Sequence, residues 1–194
     1  MNKLLRAACA FGSIAFLWSP TGCVAPRKSV TAGEPGLNAQ SRRNLADEVV
    51  SGWTDTARLA AQLMMKRYGS PDEVGSSRLV WNGNGPWKRT IVRQLPAKEL
   101  GVLEQTMAYR LTPAQASVLT EMDGRLSCDV ARMELSSRSD REEVNFLRLN
   151  LANDVINGRL TAQEARESYA RILSLEQAGK ASKYMSSLSY GARP

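Results

Sequence analysis

Residues 77–93 read SRLVWNGNGPWKRTIVR, and this stretch decides the kind of fold that the chain can form. β-Branched and large apolar residues occupy both arms, and the segment 82–86 between them consists of asparagine, glycine and proline. Asparagine and glycine tolerate the positive φ angles that hairpin turns require. The stretch therefore predicts a β-hairpin, in which Trp81 and Trp87 flank a five-residue turn and face each other across the ladder.

Two segments further along the chain alternate between apolar and polar side chains, which is the pattern of a strand with one buried face. Residues 103–111 place Leu103, Met107, Tyr109 and Leu111 on one side. Residues 125–135 place Leu126, Cys128 and Val130 inward. With the hairpin, these segments predict about four strands.

Helical periodicity covers residues 42–68, where an apolar side chain recurs every three or four positions. Gly52 is placed to break this segment into two helices, and Gly69 is placed to end it. Ser70-Pro71-Asp72-Glu73 then predicts the start of a single new helical turn, with serine as N-cap and proline at the first position.

Three later helix starts carry the pattern of a capping box, in which serine or threonine is followed three residues later by glutamine or glutamate. They begin at Thr112, Ser139 and Thr161. The helix after Ser139 has apolar residues around more than half of its circumference, so we expect it to be the most buried. These elements predict an α+β fold: a small antiparallel sheet of about four strands, backed by four or so helices.

The first 22 residues predict an export signal peptide. Lys3 and Arg6 precede an apolar run at 7–18, and small residues follow it. The run would span about 18 Å as a helix, which is too short for a bilayer core of roughly 30 Å. We therefore expect it to be cleaved rather than to remain in the membrane.

The end of this segment, Thr21-Gly22-Cys23, resembles the lipobox of bacterial lipoproteins, although Pro20 stands where that family prefers leucine. The resemblance implies that the Cys23 thiol is acylated and that Cys23 becomes the new N-terminus. It also implies that Val24 after the cysteine directs the protein to the periplasmic face of the outer membrane. Ordinary signal cleavage at a small-x-small site is the alternative.

The rest of the chain divides by composition. Residues 23–41 are expected to form a lipidated N-terminus and a flexible tether, because proline, glycine and small polar residues prevail without an apolar period. A single α+β domain is expected over residues 42–175. A polar C-terminal tail is expected over residues 176–194.

The segment Tyr68-Gly69-Ser70-Pro71-Asp72-Glu73-Val74, together with the tryptophan-bearing hairpin, resembles small outer-membrane lipoproteins, including the accessory lipoprotein of the outer-membrane assembly machinery. It is also similar to exported bacterial proteins with a Tyr-Gly-x-Pro-Asp-Glu stretch and a Trp-Lys-Arg arm. The resemblance implies a role in the cell envelope and supplies no functional residues.

The amino-acid composition limits the metals and partners that the protein can bind. The chain has no histidine, the commonest general base and zinc ligand, and we expect neither a metal nor a cofactor. Its net charge of +7 would suit an anionic partner, and in an exported protein that partner is lipid, lipopolysaccharide or cell-wall polymer rather than nucleic acid. A solvated basic surface without a partner fits the charge equally well.

Cys9 leaves with the signal peptide and Cys23 is expected to be acylated, so Cys128 has no cysteine with which to form a disulfide. We expect Cys128 to be a small buried side chain.

Two groups of residues are candidate binding sites. The first is an exposed aromatic and basic patch for a sugar polymer, an anionic lipid head or a partner strand: Trp81, Asn82, Asn84, Trp87, Lys88, Arg89 and Arg93. Its structural alternative is one core tryptophan, one tryptophan covering the turn, and solvated cations. The second is a polar stripe at helical spacing: Asn150, Asn153, Asp154 and Asn157. A solvated face, a hydrogen-bonding site and a seam against the final helix are the interpretations of this stripe.

Catalysis without histidine would need a Ser-Lys dyad or a carboxylate pair, for which Ser182-Lys183 and Asp72-Glu73 are the candidates. Both pairs also fit ordinary roles, as tail and as helix start. The function hypothesis is a non-enzymatic envelope lipoprotein, an interaction or structural component of an envelope complex. The alternatives are a binding module for cell-wall glycan or anionic lipid, and a hydrolase.

Overall fold

The computed structural model describes residues 37–191, which form an α+β fold of six helices and one six-stranded antiparallel sheet. The helices are α1 (Ala39–Ser51), α2 (Asp55–Tyr68), α3 (Pro113–Met122), α4 (Glu142–Ile156), α5 (Ala162–Gln177) and α6 (Lys183–Ser186). The strands are β1 (Glu73–Val74), β2 (Arg78–Asn84), β3 (Trp87–Arg93), β4 (Leu103–Ala108), β5 (Leu126–Asp129) and β6 (Glu134–Ser139). The predicted signal peptide, Cys23 and most of the predicted tether lie outside the described residues. No helix within residues 37–191 is both long enough and apolar enough to cross a membrane.

The sheet has the order β1-β2-β3-β4-β6-β5, and it contains two strands more than the sequence predicted. Glu73–Val74 forms β1 instead of a helical turn, because the backbone N–H of Asp72 donates to the carbonyl of Val80 and draws this segment onto β2. The second additional strand arises within residues 125–135. This segment turns back on itself at Met133, whose φ is 53°, and so becomes the antiparallel pair β5 and β6.

The predicted hairpin is present as β2 and β3, but its turn is Gly85-Pro86 alone. Trp81 pairs with Thr90, and Trp87 pairs with Asn84, so the two tryptophans do not face each other across the ladder. Gly83 and Gly85 both have φ of 62°, a conformation that glycine adopts without steric cost.

The helices pack on one face of the sheet over two apolar clusters. The first lies under α1 and α2, where Trp81 meets strand residues such as Leu79 and Leu103. The second lies under α3, α4 and α5, where Trp87 meets Met107 and other apolar side chains. Since side chains alternate along a strand, the residues between these positions point to the opposite face.

Several local predictions are confirmed. The segment 42–68 does divide at Gly52, and capping boxes begin α3 at Thr112 and α5 at Thr161. The helix α4 is buried without interruption from Val144 to Asp154. The capping box predicted at Ser139 is wrong, because Ser139 belongs to β6 and the N-cap of α4 is Arg141, whose side chain makes no cap hydrogen bond.

The ends of the folded part also differ from the expectation. Asn38 caps α1, whose first residue is Ala39, so helical structure begins inside the segment predicted as tether. The expected polar tail is largely structured: α5 continues to Gln177, and Met185 of α6 is buried in the second apolar cluster. Tyr184, Leu188 and Tyr190 pack against the same cluster. The described fold therefore extends past residue 175.

Candidate functional site

The two tryptophans of the predicted patch are interior residues, each only 2% exposed. Trp81 donates its indole N–H to the Gly69 carbonyl at 3.0 Å. Trp87 stacks on Phe146, with ring centroids 5.1 Å apart and an angle of 25° between the planes. The expectation of an exposed aromatic surface is therefore wrong, and neither ring serves as a cover for the turn.

The other residues of the predicted patch differ in how far they are exposed to solvent. Asn82 is exposed, whereas Asn84 is buried and donates its side-chain N–H to Thr90 Oγ1 at 3.0 Å. Asn84 Oδ1 is the one buried side-chain polar atom in residues 37–191 that has no hydrogen-bond partner. Lys88, Arg89 and Arg93 each form an ion pair on the sheet.

The polar stripe on α4 binds the C-terminal segment of the chain, residues 182–190. Asn150 Nδ2 donates to the carbonyls of Tyr184 and Ser187, at 2.9 and 2.8 Å. Asn150 Oδ1 accepts hydrogen bonds from the backbone N–H and the hydroxyl of Ser189, at 2.8 and 2.9 Å. A single buried amide thus uses both of its ends to hold three residues of this segment.

Of the remaining stripe residues, Asp154 supports the same contact, whereas Asn153 and Asn157 have other partners. Asp154 is buried, accepts a hydrogen bond from the Tyr184 hydroxyl and pairs with Arg159. The hydrogen bond to Asp154 raises the pKa of Tyr184 above its usual 10.0, and partial burial adds to the shift. Asn153 accepts from the Tyr109 hydroxyl at 2.9 Å, and the exposed Asn157 caps α4. A solvated face is therefore wrong for three of the four residues; the seam interpretation is closer, with the C-terminal segment as the partner.

The most unusual group of the described chain is one that the sequence did not single out, the Glu142 carboxylate. Glu142 is 2% exposed, and its Oε1 accepts hydrogen bonds from Tyr68 Oη, Trp87 Nε1 and Gln105 Nε2, at 2.5, 2.6 and 2.7 Å. Its Oε2 pairs with the Arg67 guanidinium. We call these five residues the carboxylate hub.

The hub joins α2, β3, β4 and the first residue of α4, and it lies where the two apolar clusters meet. Gln105 continues the polar contacts inward, because its Oε1 accepts from Asn145 Nδ2 at 3.0 Å. All four groups around Glu142 are donors, which matches the acceptor capacity of an ionised carboxylate. The hub therefore fixes the packing of four elements with every contact satisfied.

A cleft of about 320 Å³ lies beside the hub, bordered by Leu63 and Arg67 of α2 and by Asp140 to Glu143. Glu142 is held by four donors, so it is poorly suited to accept a proton from a substrate in this cleft. Neither pair nominated for catalysis lines it. Ser182 caps α6, and Asp72 accepts a hydrogen bond from the Asn82 backbone N–H at 2.7 Å.

The sheet face opposite the helices carries charged side chains, and we call it the open face. Glu104 contacts both Arg93 and Arg138, at 2.9 and 3.0 Å. Glu134 contacts both Lys88 and Arg89, at 2.8 and 3.4 Å. Each of these two carboxylates is thus shared by two cations.

Two apolar residues also lie on the open face. Val80 and Ile91 are buried, yet they belong to neither apolar cluster. Arg89 and Arg93 flank Ile91 two positions away on the same face, where the apolar stems of arginine can shield it. The open face is consequently polar at its surface.

Residues 37–191 contain no group of three or more cysteine, aspartate or glutamate side chains placed to hold a metal ion. Comparison of the chain with protein-family models, with curated proteins and with solved structures finds no significant match.

Proposed function

We propose that this protein is a non-enzymatic lipoprotein of the bacterial envelope that works by binding an acidic, exported protein. Cys23 anchors it at the periplasmic face of the outer membrane, and the open face is its contact surface. The observation that carries the proposal is the pairing of each open-face carboxylate with two cations.

The pairing leaves positive charge available to a partner. Glu104 and Glu134 can neutralise two of the four cations that contact them. Arg78 and Glu73 form one further pair, at 3.9 Å, which leaves this positive excess unchanged. Complementary charge speeds association and fixes the orientation of the two proteins, so an acidic protein surface is the matching partner.

The open face mixes carboxylates with cations, and this pattern favours a protein partner over a uniformly anionic membrane or polymer. A membrane or polymer that presents only negative charge would be repelled at Glu104 and Glu134, which stand among the cations. A protein can place acidic groups against the arginines and avoid the glutamates, which provides specificity. A sugar-binding role loses its main support, because Trp81 and Trp87 lie inside the fold and offer no stacking surface.

The partner contacts the open face of the sheet and not one of its edges. The edge strands β1 and β5 have two and four residues. Edges this short present few free backbone groups, which disfavours the addition of a strand from another protein.

The test is site-specific photo-crosslinking in intact cells from two exposed positions of the open face, Asn82 and Ser127. We expect both positions to crosslink to one exported protein. Replacing Arg89 and Arg93 by glutamine should reduce that product at least about fivefold, because two charge contacts are lost.

A matched control removes the same charge from the helix side, by replacing Arg171 and Lys180, both exposed, by glutamine. This variant should crosslink like the unmodified protein. An equal loss in both variants, or no crosslinked protein from either open-face position, would exclude the proposal.

A further inference from the structure

A second cleft, on the helix side of the sheet, lies between the end of α3, the middle of α4 and the start of α5. Its volume is about 350 Å³, near the lower end of the range for small-molecule sites. Met122, Leu151 and Ala165 form an apolar wall. Polar groups come from Asp123, Arg148, Arg166 and Tyr169.

Arg148 is the unusual member of this lining, because it is an arginine with only 6% of its surface exposed. Its Nε donates to Asp123 Oδ2 at 2.7 Å, its Nη1 to the Arg138 carbonyl at 2.9 Å, and its Nη2 to Tyr169 Oη at 2.8 Å. Its guanidinium carbon also lies 5.0 Å from the centre of the Tyr169 ring. The group is thus held in one orientation before any ligand arrives.

These contacts leave part of the guanidinium unused. Arginine has five N–H donors, and the three hydrogen bonds take one from each nitrogen. One N–H therefore remains on each of Nη1 and Nη2. A carboxylate has two oxygens at a spacing that accepts such a pair in parallel.

The charges around the cleft favour an anion. Asp123 balances Arg148, and the exposed Arg166 contributes a cation that donates hydrogen bonds to neutral acceptors, Gln163 Oε1 and the Glu121 carbonyl. An anionic head at Arg148 would leave the rest of the ligand against Met122, Leu151 and Ala165. We infer that this cleft binds a small carboxylate with an apolar body, with Arg148 as its anchor.

The inference is independent of the open face, and it can be tested with decanoate as the probe. Titration of the purified full-length protein, followed by calorimetry, should show saturable binding with a Kd on the order of 0.1–1 mM. Decanol, which has the same chain without the charge, should bind at least about tenfold more weakly.

Replacing Arg148 would leave Asp123 without its ion-pair partner and destabilise the fold. A variant that places a larger side chain in the cleft is the better test. A side chain at Gly124 meets no atom within 4 Å of its Cβ, and Gly124 lines the cleft. Gly124→Leu should therefore abolish decanoate binding without backbone conflict. Gly52→Leu is the matched control, because its Cβ would meet only the Val49 carbonyl, at 3.9 Å, and Gly52 caps the end of α1 and does not line the cleft.

Arg166→Gln should weaken decanoate binding about threefold, since an exposed charge contributes modestly. The inference fails if decanoate does not bind, if decanol binds equally well, or if Gly124→Leu and Gly52→Leu bind decanoate alike.

Discussion

Trp87 donates its indole N–H to Glu142 Oε1 over 2.6 Å, and this bond joins the hairpin to the first residue of the most buried helix. Glu142→Gln keeps the size of the side chain but leaves a single acceptor oxygen for the donors of the hub. We expect it to lower the free energy of unfolding by about 1–3 kcal/mol, the cost of a buried donor without an acceptor.

Glu143→Gln is the control for this change, because the neighbouring carboxylate is 43% exposed. It should alter the free energy of unfolding by no more than about 0.5 kcal/mol. Urea denaturation of both variants is the measurement, and equal effects would show that the hub does not stabilise the fold.

Both tryptophans of the hairpin should be essential for stability. Trp81→Ala and Trp87→Ala each empty a large buried site, which costs about 3–5 kcal/mol. Leu59→Ala, at a residue that is 58% exposed, should cost less than about 0.5 kcal/mol. Thermal melting compares the three variants, and a small loss for Trp87→Ala would place that ring at the surface.

The C-terminal segment should depend on Asn150. Asn150→Ala removes every hydrogen bond that this side chain makes to residues 184–189, so their amide hydrogens should exchange with solvent markedly faster. Asn157→Ala, at the exposed end of the same stripe, should leave exchange in this segment unchanged. Hydrogen exchange with peptide-level mass spectrometry reads both, and unchanged protection in Asn150→Ala would contradict the assignment.

Attachment of the same segment should weaken at alkaline pH. The hydrogen bond to Asp154 raises the pKa of Tyr184, so the folded protein holds this proton to a higher pH than the unfolded chain does. The resulting stabilisation is complete below the usual value of 10.0 and is lost as the pH rises through the folded pKa.

The free energy of unfolding, measured by urea denaturation between about pH 8 and pH 11, should therefore fall less steeply in Tyr184→Phe than in the unmodified protein. Part of this pH dependence should persist in Tyr184→Phe, because burial raises the pKa of Tyr68 as well. Identical slopes in the two proteins would refute the role of Tyr184.

Membrane attachment should depend on Cys23. Cys23→Ser should release the folded protein from the membrane fraction, because each buried methylene of an acyl anchor contributes about 0.8 kcal/mol. Cys128→Ser should remain in that fraction, since burial raises the pKa of this thiol and it takes no part in the anchor. Mass spectrometry of the mature N-terminus is the direct measurement, and an unmodified terminus at another residue would disprove the anchor.

The sequence by itself determined the elements whose causes are local. The hairpin, the division of the first helical segment at Gly52, and the caps at Thr112 and Thr161 all depend on residues within a few positions of one another. Such signals are readable because the interacting groups are neighbours along the chain. The α+β class followed from them.

Only the tertiary structure decided which polar groups go inside. Ser139 and Glu142 have the spacing of a capping box, yet Glu142 turns inward to Trp87 and Tyr68, which lie 55 and 74 residues away along the chain. Asn150 likewise looks like a surface residue until residues 184–189 fold over it. A buried polar side chain is stable only where distant donors and acceptors converge on it, and local sequence does not record that convergence.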